Sequence, residues 1–231
     1  MRKLMCITLL FAVSMFAGLG SLFSQETIGL QYDHLFYAYF RGMGITPNDE
    51  AINSYIQNIN SNEYQRFRNN EFEWRRLRQE GERNLIAGIQ NMDFNTIFTT
   101  VSMARFGNYD FDKEGFSFNI RNTLQVQVLN GNNWLWFTII VTNIRDYNLL
   151  RMNSSEASRF IEQRTIHGEV NRNVLLNIHF RFSDFSNNEF ASIANDNLYA
   201  NGGRNRYLHG RIVHIDVYNE DGTVKIGEIT N

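Results

Sequence analysis

The chain has 231 residues, 43% of them apolar and 14% aromatic, with 22 basic against 24 acidic side chains and a net charge of −2. That length suits one domain with a substantial core, and the weakly acidic balance lacks the broad positive field of a nucleic-acid binder. The lone cysteine, Cys6, excludes disulfide staples and cysteine-based metal sites.

The chain opens on a leader. Arg2-Lys3, the apolar run from Leu4 to Phe16 and the small residues Ala17-Gly18-Leu19-Gly20-Ser21 form the basic, apolar and small-residue regions of a signal peptide over residues 1–25. Cleavage near Gln25 leaves no cysteine and 20 basic against 24 acidic side chains. The expected location is periplasmic or extracellular, in a bacterial setting. Leu4 to Phe23 is long enough to span a bilayer, so membrane contact follows only if the leader is retained. Cys6 sits too early for a lipid-modified cysteine, which follows the apolar run.

Residues 26–231 are expected to form a single α+β domain, helical over 30–90 and strand-rich over 95–230. Leu35, Phe36, Tyr39 and Phe40 recur at helical spacing in a helix that ends at Gly42-Met43-Gly44. Thr46, Pro47 and Asp49 give a capping box with proline at the first helical position, opening a second helix that carries Ala51, Ile52, Tyr55, Ile56 and Ile59 on one face. A third, longer helix is expected from about Asn62 to Gln90. Its arginines and glutamates alternate, which reads as a solvated face.

The period then changes from 3.6 to 2. Ile97, Thr99, Val101 and Met103 alternate, as do Leu124, Val126 and Val128, and Asn130-Gly131 signals a hairpin into Trp134–Thr142. Trp134 to Val141 is apolar on both faces, as in a central strand. A short helix over Ser155–Gln163 with Ser154 as its cap interrupts the strands. Val174, Leu176, Ile178, Phe180 and Phe182 then give the cleanest alternation, and the chain closes on strands Arg211–Tyr218 and Thr223–Ile229. Short connections argue for a mainly antiparallel sheet with the N-terminal helices packed on it.

Three constellations carry potential chemistry. Asp110, Asp112 and Glu114, followed by Gly115, resemble the start of a calcium loop, although Arg121 stands where the bidentate glutamate belongs. His179, His214 and Asp216 meet on one sheet face if their strands pair, and two imidazoles with a carboxylate suit zinc. The loop Tyr199–Arg211 offers Arg204, Arg206, Tyr207, His209 and Arg211 to an anion beside glycines that permit close approach. The sequence contains no Gly-x-Ser-x-Gly, His-Glu-x-x-His or Gly-x-Gly-x-x-Gly motif, and it implies no cofactor.

The functional expectation is an exported bacterial protein that binds without catalysis or belongs to an envelope assembly. Its partner is a protein, a glycan or an anionic ligand, and not nucleic acid. The alternative is a hydrolase of an envelope or extracellular polymer that uses carboxylates or the His179/His214/Asp216 cluster.

Overall fold

A computed structural model describes residues 27–130, 133–183 and 205–231. The leader reading, Gly131 of the expected hairpin turn and Arg204 lie outside the described residues.

β1 (Thr27–Gly29) leads into α1 (Tyr32–Met43), which buries Leu35, Phe36, Ala38 and Phe40. Gly44 ends α1 at φ 63°, a left-handed conformation that glycine adopts without a Cβ clash. α2 (Asp49–Ile59) is capped by Asn48, whose Oδ1 accepts the Ala51 N–H at 2.9 Å. The cap is therefore Asn48 and not Thr46, and Pro47 precedes the helix. The expected long third helix is two: α3 (Ser61–Phe67) and α4 (Glu71–Asn91). Asn70 restarts the helix by accepting the Glu73 N–H, and the bend lets Tyr64 and Trp74 meet edge-on with centroids 5.6 Å apart.

β2 (Ile97–Asp110), β3 (Gly115–Phe118), β4 (Thr123–Asn130) and β5 (Asn133–Val141) follow. A 3₁₀ turn at Ile144–Tyr147, β6 (Leu149–Arg151) and α5 (Ser154–Gln163) come next. Asn153, one residue before the expected cap, accepts the Glu156 N–H at 3.0 Å. A small hairpin, β7 (Thr165–Ile166) with β8 (Glu169–Val170), precedes β9 (Asn173–Phe182), β10 (Asn205–Tyr218) and β11 (Lys225–Ile229). Among the described residues no helix is long and apolar enough to cross a membrane.

The fold is α+β, with a main sheet that runs β4-β5-β10-β9-β2-β3-β6, β1 beside the start of β2 and β11 beside the end of β10. It is mainly antiparallel, as expected, but mixed rather than purely so, because β1 runs parallel to β2 and β5 parallel to β10. β10 reaches β5 only after β6, α5 and β9 have intervened, so no hairpin sets its direction.

One sheet face carries the core. Near the helices, Phe98, Phe137, Ile139, Phe180 and Leu208 pack with the buried sides of α1, α2 and α4. Further along the same face, Phe106, Phe116, Leu176, Ile215 and Val217 pack with Leu150 and with Ala157 of α5. A bulge divides β10: Ile212 pairs with Phe180 but His214 with His179, leaving Val213 extra. The bulge reverses the alternation, so Leu208, Ile212, Ile215 and Val217 all face the core while His209, His214 and Asp216 share the outer face.

The sheet also curls. A cavity of about 400 Å³ is lined at once by Thr100 to Ala104 of β2 and Thr123 to Val126 of β4, although three strands separate β2 from β4 along the sheet.

Candidate functional site

β9 and β10 pair antiparallel and set His179 opposite His214 and Asn177 opposite Asp216. The two imidazoles stack with centroids 3.8 Å apart and planes 22° from parallel. His179 Nε2 lies 3.0 Å from Asp216 Oδ2 and 3.2 Å from the Asn177 amide; His214 Nε2 lies 4.0 Å from the same Oδ2. The ligand atoms of His179, His214 and Asp216 all fall within 4.8 Å of one another. Two residues absent from the expected cluster complete it. Lys225 Nζ of β11 sits 2.6 Å from Asp216 Oδ1 and 3.1 Å from Glu228 Oε2, because Glu228 pairs with Asp216.

Burial lowers the His179 pKa, and the neighbouring His214 lowers it further, against the opposing pull of Asp216. Burial pushes the Asp216 carboxyl up, but hydrogen bonds from Lys225 and His179 outweigh it and leave that carboxyl below the usual range. Lys225 is raised, first by its bond to Asp216. Both carboxylate oxygens of Asp216 are thus engaged. His179 Nδ1 is buried with no hydrogen-bond partner among the described residues. A cation entering here has two imidazole nitrogens and a carboxylate to meet, and an ammonium to displace.

The other expected sites are arranged differently. Asp110 closes the β2–β3 turn: Oδ1 accepts the N–H groups of Asp112 and Lys113, each at 3.0 Å, and Oδ2 lies 3.2 Å from Lys113 Nζ. Asp112 and Glu114 are exposed, and the three acids do not form a convergent ligand group. The expected anion loop is, over 205–211, the first half of β10. Gly210 is there for packing: an added Cβ would lie 3.0 Å from Ile139 and 3.2 Å from Phe180. Arg206 turns toward the core, its guanidinium 5.2–5.7 Å from the ring centres of Phe36, Tyr39, Phe40 and Phe137. Tyr207, His209 and Arg211 take the alternate positions. His209 is buried and Arg211 exposed, so these side chains do not converge with Arg206.

The cavity between β2 and β4 is a second candidate, unmarked by any motif. Alternate residues of a strand turn both backbone groups to the same side. On β2, Phe106 N–H donates to Arg172 on the β9 side at 3.1 Å, whereas the Thr99 carbonyl accepts from Leu30 on the β1 side at 2.9 Å. Even-numbered residues therefore serve β9, and Val101, Met103 and Arg105 face away from it. On β4, the Asn122 carbonyl accepts from Val141 of β5 at 2.7 Å, so Thr123, Gln125 and Gln127 face away from β5. Among the described residues no strand pairs with β2 over 101–105 on that side, nor with the outer side of β4. Two open strand edges confront each other across a slot. The one sign of it in the sequence is Val101 and Met103, apolar residues on the outer face that are 64% and 54% exposed.

Residues 48–164 match the family described as Domain of unknown function (DUF4852). The chain belongs to this family. The DUF4852 match contains both walls of the slot, β2 and β4, whereas His179, His214 and Asp216 lie beyond its C-terminal limit. No curated protein and no solved structure matches the DUF4852 chain.

Proposed function

We propose that this DUF4852 protein is an exported, non-enzymatic binding module of the bacterial envelope and that the slot between β2 and β4 is its binding surface. One observation carries the reading: two strand edges that are unpaired among the described residues line one cavity of about 400 Å³, and unpaired backbone groups are a template for another chain. Amide exchange on dilute mature protein tests it. The N–H groups of Val101, Met103 and Arg105 are expected to exchange far faster than those of Thr100 and Ser102, which serve β9. Equal protection at both sets sinks the reading. Export is tested by expressing the chain with its leader: a periplasmic product starting near Glu26 supports it, and an intact cytoplasmic product overturns it.

A second reading, hydrolysis of an envelope or extracellular polymer, draws support from the convergence of His179, His214 and Asp216, which supplies ligands of zinc type. Calorimetry with zinc decides it. Heat of binding that disappears in His214→Ala favours the hydrolase; no heat at micromolar zinc removes it.

A further inference from the structure

Resting on the slot as a binding surface, we infer that its occupant is the C-terminal tail of another polypeptide, entering as an added strand with its terminal carboxylate at Arg121. The backbone sets the first requirement. Val101, Met103 and Arg105 on one wall and Thr123 and Gln125 on the other present alternating donors and acceptors, and an extended chain meets both walls at once.

Elsewhere the protein closes such edges with its own side chains. Asn143 holds both backbone groups of Ile212, at 2.9 Å each, and the Tyr147 hydroxyl donates to the Val213 carbonyl at 3.1 Å, where β10 leaves β5. Asn58 and Ser54 do the same at Leu129, beyond the slot on β4. Over Val101–Arg105 the Ser102 hydroxyl makes one long contact, to the Met103 carbonyl at 3.4 Å, and among the described residues no side chain takes up the Val101, Met103 or Arg105 N–H.

The slot's length and ends set the second requirement. On β2 it is bounded by β1 at Thr99 and by β3 at Phe106, a run of about five residues or roughly 16 Å. A second cavity of about 550 Å³ shares Leu30, Thr100 and Val126 with the first and continues it past Tyr32 and Ile59. That is an entrance. The far end is lined by Asn119, Ile120 and Arg121 of the connection from β3 to β4, beside the point where β3 begins to pair with β2. A chain terminus needs only the one entrance.

Charge sets the third. Arg121 lines the far end, and Arg105 follows Ala104, the last β2 residue of the lining. Both are exposed and neither has an acidic partner among the described residues, so a carboxylate arriving at the far end finds the unshared guanidinium of Arg121. A tail with its C-terminus at Arg121 runs parallel to β2, as β1 already does. Its inward side chains meet Thr100, Ser102, Ala104, Leu124 and Leu176, which favours small apolar or hydroxyl residues.

The probe is the peptide acetyl-Thr-Val-Ser-Val-Ala-Val as its free acid and as its C-terminal amide, titrated by fluorescence anisotropy against the mature full chain. The free acid is expected to bind at least tenfold tighter than the amide, and Arg121→Glu to erase that difference. Met103→Pro deletes a donor that faces the slot and none that faces β9, so both peptides are expected to lose binding. A peptide N-methylated at alternate amides makes the same test without altering the fold. Acid and amide binding equally, with Arg121→Glu silent, overturns the terminal carboxylate and leaves a binding slot. A peptide with an internal glutamate matching the free acid does the same. No binding of the free acid at millimolar concentration overturns the peptide strand. Protection of Val101 and Met103 in dilute free protein overturns the binding reading itself, and protection that grows with protein concentration shows a second copy as the occupant and overturns the partner tail.

Discussion

Asn58 and Leu129 exchange hydrogen bonds in both directions: the Leu129 N–H donates to Asn58 Oδ1 at 2.9 Å, and Asn58 Nδ2 donates to the Leu129 carbonyl at 2.7 Å. One asparagine of α2 thus acts as a one-residue strand against β4, and the Ser54 hydroxyl donates to the same carbonyl at 2.8 Å. Asn58→Ala leaves a partly buried N–H without a partner while Ser54 still serves the carbonyl. The expected loss is about 1–3 kcal/mol, read from urea unfolding, with faster exchange of the Leu129 amide. Ser54→Ala removes only one of two donors to a satisfied carbonyl, so its effect is expected to be smaller.

α4 approaches its neighbours through two glycines one heptad apart. A Cβ at Gly81 would intrude on the Ile56 side chain, and one at Gly88 on the Tyr37 ring, both well inside van der Waals contact. Tyr37 is also held by its hydroxyl, 2.8 Å from that of Tyr55. Alanine gains up to about 1 kcal/mol of helix propensity over glycine, but overpacking costs about 1–3 kcal/mol. Packing wins where the neighbour is pinned. Gly88→Ala is therefore expected to lower the unfolding midpoint, and Gly81→Ala to do so less because Ile56 can change rotamer. Asn84→Ala on the exposed side of α4 should be neutral or mildly stabilising.

How much of this was legible in the sequence depends on the range of the interaction. β9 reads directly from Val174 to Phe182, because burial on one face imposes period 2, and α1 reads from its aromatic spacing and from Gly44. Caps slipped by one or two residues: Asn48 and Asn153 compete with neighbouring Thr46 and Ser154, which offer the same chemistry. The break at Asn70 was hidden because a charged, helix-favouring sequence flanks it on both sides. Gly210 suggested a loop, yet the glycine answers the close packing of Ile139 and Phe180, which arrive from strands distant in sequence. His179, His214 and Asp216 could be brought together on paper by assuming that their strands pair. Lys225 could not, since its reach to Asp216 depends on the irregular register of β11 near Gly227. The slot left no motif at all: an open edge is defined by the strand that does not pair with it.

Stability should fall on acidification, beginning near neutrality. His209 is 7% exposed, and burial pushes its imidazole down to about 4. In the unfolded chain it titrates near 6.5, so between those values the unfolded state binds a proton that the folded state refuses. Stability is full above about pH 6.5 and is lost progressively toward about pH 4. A gap of this size corresponds to about 3 kcal/mol. Burial also lowers His179, which adds a loss of the same sign. Urea midpoints at pH 7.5, 5.5 and 4.5 should decline in that order, and His209→Gln should flatten the decline. An unchanged midpoint between pH 7.5 and 4.5 contradicts the burial of a neutral imidazole.

Asp216 is the hub through which the outer-face cluster is coupled, and charge removal there should be visible at two other residues. Its carboxylate raises the His179 pKa against burial and His214, and it is the first cause of the raised Lys225 pKa. In Asp216→Asn both supports vanish: the His179 titration followed by NMR should move to still lower pH, and the Lys225 ammonium should titrate earlier while Glu228, 3.1 Å away, keeps it partly held. The stability change is expected to be modest, about 1 kcal/mol, because Lys225 is substantially exposed and water screens its charge. Lys225→Met tests the opposite arm. The Asp216 carboxyl loses its strongest opposing partner to burial, so its pKa should rise. If neither variant moves the partner's titration, Asp216 does not couple the cluster, and the side chains of β9, β10 and β11 respond to solvent independently.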